Sequence, residues 1–346
     1  MKATVFLLTC AAMLAAILDF AGAGEIPSAW DDVPDFGVQR VSADQADTSV
    51  PCSEEDPNCF GDPAFGSLWT VQAGVIFLNR TGATSTPSNI RGNTGLPFPT
   101  IEEFEFPCAA GPQLSVQRHL ENGWSIEALY FGMDGHQSTQ ELQPFAGNGL
   151  NVPASALVPT IFRWDSRLYN AEINFRLPER PWITPFVGLR WLELDDKLIS
   201  PLYYGVSPDD VSMTDRVVNN LYGFQLGTDV HLWNNGGALR LESTLKAGVY
   251  NNSASESIAI PVLQGAGDSN SRIDHVAFIG EIGLTGVWQI TERLAGRIGY
   301  ELIWLDGLAL PSDQFIVGNT GNGFGGVSAD RSVLYHGVTA GLELQF

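Results

Sequence analysis

From Leu334 to Phe346 the chain alternates without a break. Leu334, His336, Val338, Ala340, Leu342, Leu344 and Phe346 share one face; Tyr335, Gly337, Thr339, Gly341, Glu343 and Gln345 share the other. A period of two is that of a strand whose faces meet different surroundings. An edge strand of a soluble sandwich has the same pattern, so the tail alone leaves two folds open.

The other end of the chain narrows the choice. Lys2 is followed by an apolar run, Val5 to Ile17, and by the small-residue site Ala21-Gly22-Ala23. This is the layout of a secretory signal peptide, residues 1–23, cut after Ala23. No other run reaches the ~18 apolar residues of a membrane helix. An exported chain without such a helix can span a bilayer only as a closed barrel, since lipid leaves no partner for a sheet edge.

Charge limits the partners. The formal net charge is −21, from 39 acidic and 18 basic residues. Nucleic acid is therefore excluded, because phosphate binding needs clustered Lys and Arg. Ten of the acids, against the one base Arg40, lie in residues 24–66, which read as an acidic periplasmic tail or a small plug. Cys52 and Cys59 in this segment form the favoured disulfide, with Cys108 free or competing. No metal site and no cofactor is expected.

Residues 67–346 carry a regular rhythm of strands: 68–80, 113–120, 124–133, 166–177, 182–194, 219–233, 238–250, 273–289, 293–304 and 333–346. Tight turns such as Glu121-Asn122-Gly123 and Asn234-Asn235-Gly236-Gly237 alternate with long loops. The fold class that follows is all-β: a transmembrane antiparallel up-and-down β-barrel of about ten strands, with short periplasmic turns and long outer loops. Leu157–Arg163 or Ser255–Val262 would raise the count to twelve if either were a separate strand. Trp69, Trp124, Trp182, Trp233, Trp288 and Phe346 fall at the tight-turn ends, and Trp191 and Trp304 near the long loops, as two interfacial belts require. Trp182 and Trp233 nevertheless read as lying on the inward register.

Three stretches resemble a known family. They are Ser166-Arg167-Leu168-Tyr169-Asn170-Ala171-Glu172-Ile173-Asn174, Gly188-Leu189-Arg190-Trp191-Leu192-Glu193-Leu194, and Asn220-Leu221-Tyr222-Gly223-Phe224-Gln225-Leu226-Gly227. Together with Leu245-Lys246-Ala247-Gly248, Gly299-Tyr300 and the last strand, they resemble the type-7 β-barrel porin family, predicted outer-membrane proteins. Trp191 stands where that family usually has Tyr, and Leu310-Pro311-Ser312-Asp313-Gln314 follows its Arg-Pro-Gly-Asp-Gln turn only loosely. The resemblance implies architecture and location; the family's solute is not established.

Parity divides the strands. Tyr169, Ile173, Phe175, Val187, Leu189, Tyr222, Phe224, Leu226, Leu241, Leu245, Ile282, Leu284, Ile298 and Leu302 point outward. Glu172, Asn174, Arg176, Arg190, Gln225, Asp229, Arg240, Glu242, Lys246, Glu281, Arg297, Glu301 and Glu343 point into the lumen. A charge against lipid costs ~2–4 kcal/mol at the midplane, so this sorting is expected of a barrel. Glu172 and Arg190 are the expected cross-strand pair. The inward charges either cross-link the walls or line a narrow pore.

No catalytic residue is assigned. The histidines have no convincing Ser or Asp partner, the glycine-rich 321–326 stretch reads as an outer loop, and Asp195-Asp196 and Asp209-Asp210 read as solvated loop acids rather than a calcium site. The expected partners are the lipid bilayer and the barrel-assembly machinery, which would read Phe346 as its signal, and small polar solutes. The expected function is a porin-like channel in the outer membrane and not an enzyme. The alternatives are a closed structural or adhesive barrel displaying long surface loops, and an outer-membrane hydrolase.

Overall fold

The computed structural model describes residues 68–82, 104–142, 160–180, 182–201, 212–234, 236–259, 269–311 and 327–346. The chain divides into two units, 1–61 and 62–346, and the second holds every element described below. The signal peptide, the acidic tail, Cys52, Cys59 and the 321–326 stretch lie outside the described residues.

Ten strands form one closed antiparallel barrel. They are β1 (Trp69–Gly82), β2 (Ala109–His119), β3 (Ser125–Leu142), β4 (Thr160–Arg176), β5 (Ile183–Pro201), β6 (Ser212–Asn234), β7 (Leu239–Ala259), β8 (Ser269–Gln289), β9 (Leu294–Leu308) and β10 (Arg331–Gln345). Each strand pairs with its sequence neighbour, and β10 closes on β1, from Thr70 opposite Gln345 to Gly82 opposite Val333. The seam extends one residue further, where the backbones of Trp69 and Phe346 exchange both hydrogen bonds, at 2.9 and 3.0 Å. The count is ten. The described parts of Leu157–Arg163 and Ser255–Val262 are the long-loop ends of β4 and β7 rather than extra strands.

The outward face carries a belt of exposed apolar side chains. On β7 it runs from Leu239 to Val249, and on β6 from Tyr222 to Leu232. This matches the ~9–11 residues of a tilted strand crossing. Phe224 is 75% exposed and Ile298 64%. Such an exterior fits lipid and not water. Trp124, Trp182, Trp233, Trp288 and Phe346 rim its tight-turn edge; Tyr130 and Tyr222 are exposed near the other. Trp182 and Trp233 correct their expected inward register. Trp182 precedes β5, and a bulge between His231 and Trp233 turns the end of β6 outward.

β4 to β8 continue well past the belt, and there the pattern reverses. On β5, Val187 and Leu189 are exposed, whereas Leu192, Leu194 and Leu198 are buried inside and Glu193 and Lys197 face outward. Most of the interior of this upper half is an apolar cluster, with a smaller one of Val217, Ala254, Ala309, Val327 and Ala329 beside it. The larger takes Ile76 and Leu78 from β1, Phe131 and Met133 from β3, Trp164 and Leu168 from β4, Leu221 from β6, Ile279 from β8, Ile303 and Leu305 from β9, and Val333 and Tyr335 from β10. Phe104 and Phe106, just before β2, and Leu310, just after β9, complete it.

Strand approach constrains two inward glycines differently. A Cβ on Gly337 would fall on the Phe77 carbonyl, which is backbone and cannot yield; one on Gly283 would meet nothing nearer than Thr244 at 3.8 Å. We therefore expect Gly337→Val to prevent barrel closure and Gly283→Ala to be tolerated. Heat-modifiable gel mobility of the refolded variants measures this; equal folding of both would contradict the close β1–β10 approach.

Candidate functional site

Within the belt, the polar residues of the lumen lie between the tight-turn mouth and the apolar cluster, in two levels. The level nearer the mouth holds Arg176, Asp229, Arg240, Glu242, Arg297 and Glu343. Arg176 donates to Glu127 at 2.7 Å and also pairs with Asp229. Arg240 reaches Glu242 at 2.7 Å and Glu343 at 3.3 Å, while Arg297 reaches the same carboxylates at 3.1 and 2.6 Å. These four form a closed ring of alternating charge that ties β7, β9 and β10 together.

The deeper level is more buried. Arg190 lies 3.4 Å from Glu172 and 2.8 Å from Glu281. Lys246 lies 3.1 Å from Glu172 and 2.7 Å from Glu281. Both Glu172 and Arg190 have no side-chain exposure. Asn170 donates to Glu172 at 3.1 Å and accepts from Arg190 at 2.6 Å. Gln225 donates to Glu172 and to Asn174, each at 2.8 Å. Glu301 stands beside Glu281 and shares a hydrogen bond with it. Every inward residue read from parity thus lies in one of these two levels, and Glu172 and Arg190 are direct cross-strand neighbours.

Ionised groups out of water must be paired and hydrogen-bonded to persist. Here each arginine bridges two carboxylates on different strands. Removing one partner of such a buried pair costs about 3–5 kcal/mol, because the other is left charged and dry. Arg190→Ala should therefore lower the unfolding free energy by about that amount in urea titration. A change below about 1 kcal/mol, the scale of an exposed pair, would show that the layer is wet.

Asn170, Glu127, Arg80 and Asp196 were not among the inward residues read from the sequence. Glu127 follows Ser125 on the inward parity of β3, so the alternation of Ile126, Ala128 and Tyr130 was a usable signal. Arg80 and Asp196 form a bidentate pair at 2.6 and 2.8 Å inside the apolar cluster, with no side-chain exposure. Phe106 and Trp164 stack near the Arg80 guanidinium, at 4.8 and 5.3 Å. Asp196 is therefore not a solvated loop acid, and Asp195 is bound by Arg216 at 2.7 Å. The two belong to opposite faces of β5. Asp209 and Asp210 lie outside the described residues. Cys108 is free and exposed.

Between the mouth and the deeper level lies a cavity of about 780 Å³, lined by both polar levels and by small residues including Gly74, Gly283, Thr285 and Thr339. It ends below the apolar cluster. Above that cluster, Asn219 holds the inward-folded segment after β9 by pairing with both backbone groups of Ala309, each at 2.8 Å. Asn252 adds bonds of 2.9 Å to Asn219 and to the Gly307 carbonyl.

Beyond the belt, Asp215 and Glu256 sit close together on the inner face of β6 and β7. Neither Asp215 carboxyl oxygen has a hydrogen-bond partner among the described residues. Burial, and then the charge of Glu256, push its pKa up to about 8, and burial pushes Glu256 to about 7. The ordinary Asp value is 3.8. Between that value and about 8 the folded state keeps a proton that the unfolded chain has lost, so stability falls as pH rises through this window. Asp215→Asn, permanently neutral, should remove part of this fall. Its stability relative to the parent should rise between pH 5 and pH 9 in paired urea titrations; a constant difference would place Asp215 in water.

No protein-family model matches the chain, and no curated protein matches it. Solved structures do. The outer-membrane protease OmpT from Escherichia coli aligns over 80% of this chain and 96% of its own, at 10% identity and a TM-score of 0.46. The Pseudomonas putida toluene transporter TodX aligns over 82% and 91%, at 11% identity and a TM-score of 0.34. Neisserial surface protein A aligns over 81% and 98%, at 12% identity and a TM-score of 0.26. At such identities and scores no activity transfers. The type-7 porin resemblance rests on the sequence stretches quoted for it.

Proposed function

We propose that this protein is an outer-membrane β-barrel whose lumen is a blind vestibule: open at the tight-turn end and shut at the long-loop end. The apolar cluster that crosses the upper lumen carries this reading. Among the described residues the lining of the cavity stops short of this cluster, and the side chains of the Arg80–Asp196 pair within it have no exposure. Of the functions expected from the sequence, the geometry thus favours the closed barrel that displays its long loops. The signal peptide would deliver it, the assembly machinery would read the strand ending in Phe346, and the tight turns would face the periplasm. We assign it no catalytic role.

A porin-like channel is the second reading, and one observation favours it. The polar cavity already reaches mid-barrel, and the segment held by Asn219 and Asn252 enters the lumen from the long-loop end. Its displacement would thin the cluster and open a path for small polar solutes.

Planar-bilayer recording of the refolded protein separates the two. The closed reading expects no steady current from the parent protein and a measurable leak from the Asn219→Ala, Asn252→Ala double variant. Steady, mildly cation-selective current from the parent would favour the channel instead.

A further inference from the structure

Inside the barrel, Arg176, Arg190, Arg240, Lys246 and Arg297 are each held between two carboxylates. On the outward face beyond the belt, Lys197 and Arg272 have no salt bridge among the described residues. The outward acids nearest them in register, Asp165 opposite Lys197 and Asp274 two residues from Arg272, bridge neither. Lys197 also lies directly opposite Arg216, and like charges so placed are destabilising. Asp195 takes two nitrogens of the Arg216 guanidinium and leaves the third available. Arg216 and Arg272 form the two walls of a groove of about 380 Å³. Its floor is β7, where Ser255 lies between Val218 and Arg272, and Ser257 between Arg216 and Asn270. Glu256 and Ser271 line it too, but they belong to the inner parity. The outward side chains that line the groove thus offer guanidinium, hydroxyl and amide groups and no carboxylate, which is a donor set for an oxyanion.

We propose that this groove docks a membrane lipid with a phosphorylated sugar headgroup, its phosphates on Arg272 and on Arg216 with Lys197, and its hydroxyls on Ser255, Ser257 and Asn270. The groove continues the lipid belt, and its height selects the kind of lipid. The last exposed apolar residue below it is Val276 on β8 and Tyr222 on β6. Arg272 lies four residues past the first and Arg216 six past the second. At ~3.3 Å per residue and a strand tilt of ~40°, the arginines stand about 10–15 Å beyond the belt edge. The headgroup layer of a simple phospholipid is only about 5–8 Å deep per leaflet, so its phosphate lies below the groove. A headgroup of linked, phosphorylated sugars spans the difference. The inference rests on reading the apolar band as a lipid belt, and it is independent of whether the lumen conducts.

Native mass spectrometry of the refolded protein in neutral detergent tests it. The probe is a rough-type lipopolysaccharide whose inner-core sugars carry phosphate. The comparisons are the same glycolipid after chemical dephosphorylation, phosphatidylglycerol, and inorganic phosphate as competitor. The phosphorylated glycolipid should be retained about tenfold more tightly than its dephosphorylated form, the scale of one hydrogen bond between charged groups. Arg272→Gln should remove most of that preference. Ser255→Trp, which keeps the charges but fills the floor, should remove it as well. Arg293→Gln, at the tight-turn end, should leave it unchanged. Gel mobility confirms that each variant is folded, and should one groove variant fail to fold, the other decides. Equal retention of the two glycolipids, equal retention of phosphatidylglycerol, displacement by inorganic phosphate at matching concentration, or an unchanged preference in a folded groove variant would each overturn the proposal. Bilayer current is read separately, so failure here leaves the closed-barrel reading standing.

Discussion

The ion-paired layer of Glu172, Arg190, Lys246 and Glu281 is the constraint on which the interior depends. Its members come from β4, β5, β7 and β8, so it joins walls that the backbone ladder connects only at a distance. It also lies inside the lipid belt, where the outward face of the same strands is apolar. A charged inner face gives each strand a strong preference for which side meets lipid. A one-residue slip would put Arg190 in the bilayer and Leu189 in the lumen, and the side-chain period of two makes that slip an all-or-none error. Buried ion pairs are weak sources of net stability, but they suit the task of fixing a register.

Above the belt the exterior is water, and the contrast between faces is kept by inversion. On β4, Ile173 and Phe175 face out within the belt, whereas Phe162, Trp164 and Leu168 face in beyond it. Each fully buried large apolar side chain contributes about 1.5–3 kcal/mol. The upper half is thus stabilised as a soluble β protein is, and the lower half as a membrane barrel is. On the closed reading, the lumen shuts because the two halves share one sheet: where the outward face turns polar, the inward face of the same strands turns largely apolar.

This arrangement explains what was legible in the chain. Strand number, tight turns and the inward set from Glu172 to Glu343 follow from periodicity and from the rule that charge avoids lipid. The apolar cluster does not follow from the same rule, because its residues are also apolar and alternate. They differ only in phase. In Val187-Gly188-Leu189-Arg190-Trp191-Leu192-Glu193-Leu194 the apolar positions move from odd to even at Trp191-Leu192, with no bulge between β5 and its neighbours. That change of phase marks the belt edge, and reading every strand on one phase extends the membrane too far. Arg80 and Asp196 were hidden for a related reason: their strand positions are inward, but no local pattern tells a dry pair from a solvated one.

The same inversion accounts for the position of the cavity. Inside the belt the lumen must be polar, and polar side chains that pair across a barrel do so at a few fixed points, leaving gaps between them. Arg176, Arg240 and Arg297 reach across from β4, β7 and β9, while β1, β8 and β10 present Gly74, Gly283, Thr285 and Thr339. Small residues on one wall leave space that long charged side chains on the other cannot fill without losing their partners. Beyond the belt the interior packs apolar groups, which have no directional partners to keep and can close up to crystal-like density. A vestibule ending at the belt edge is therefore a direct result of where lipid gives way to water on the outside of the same strands.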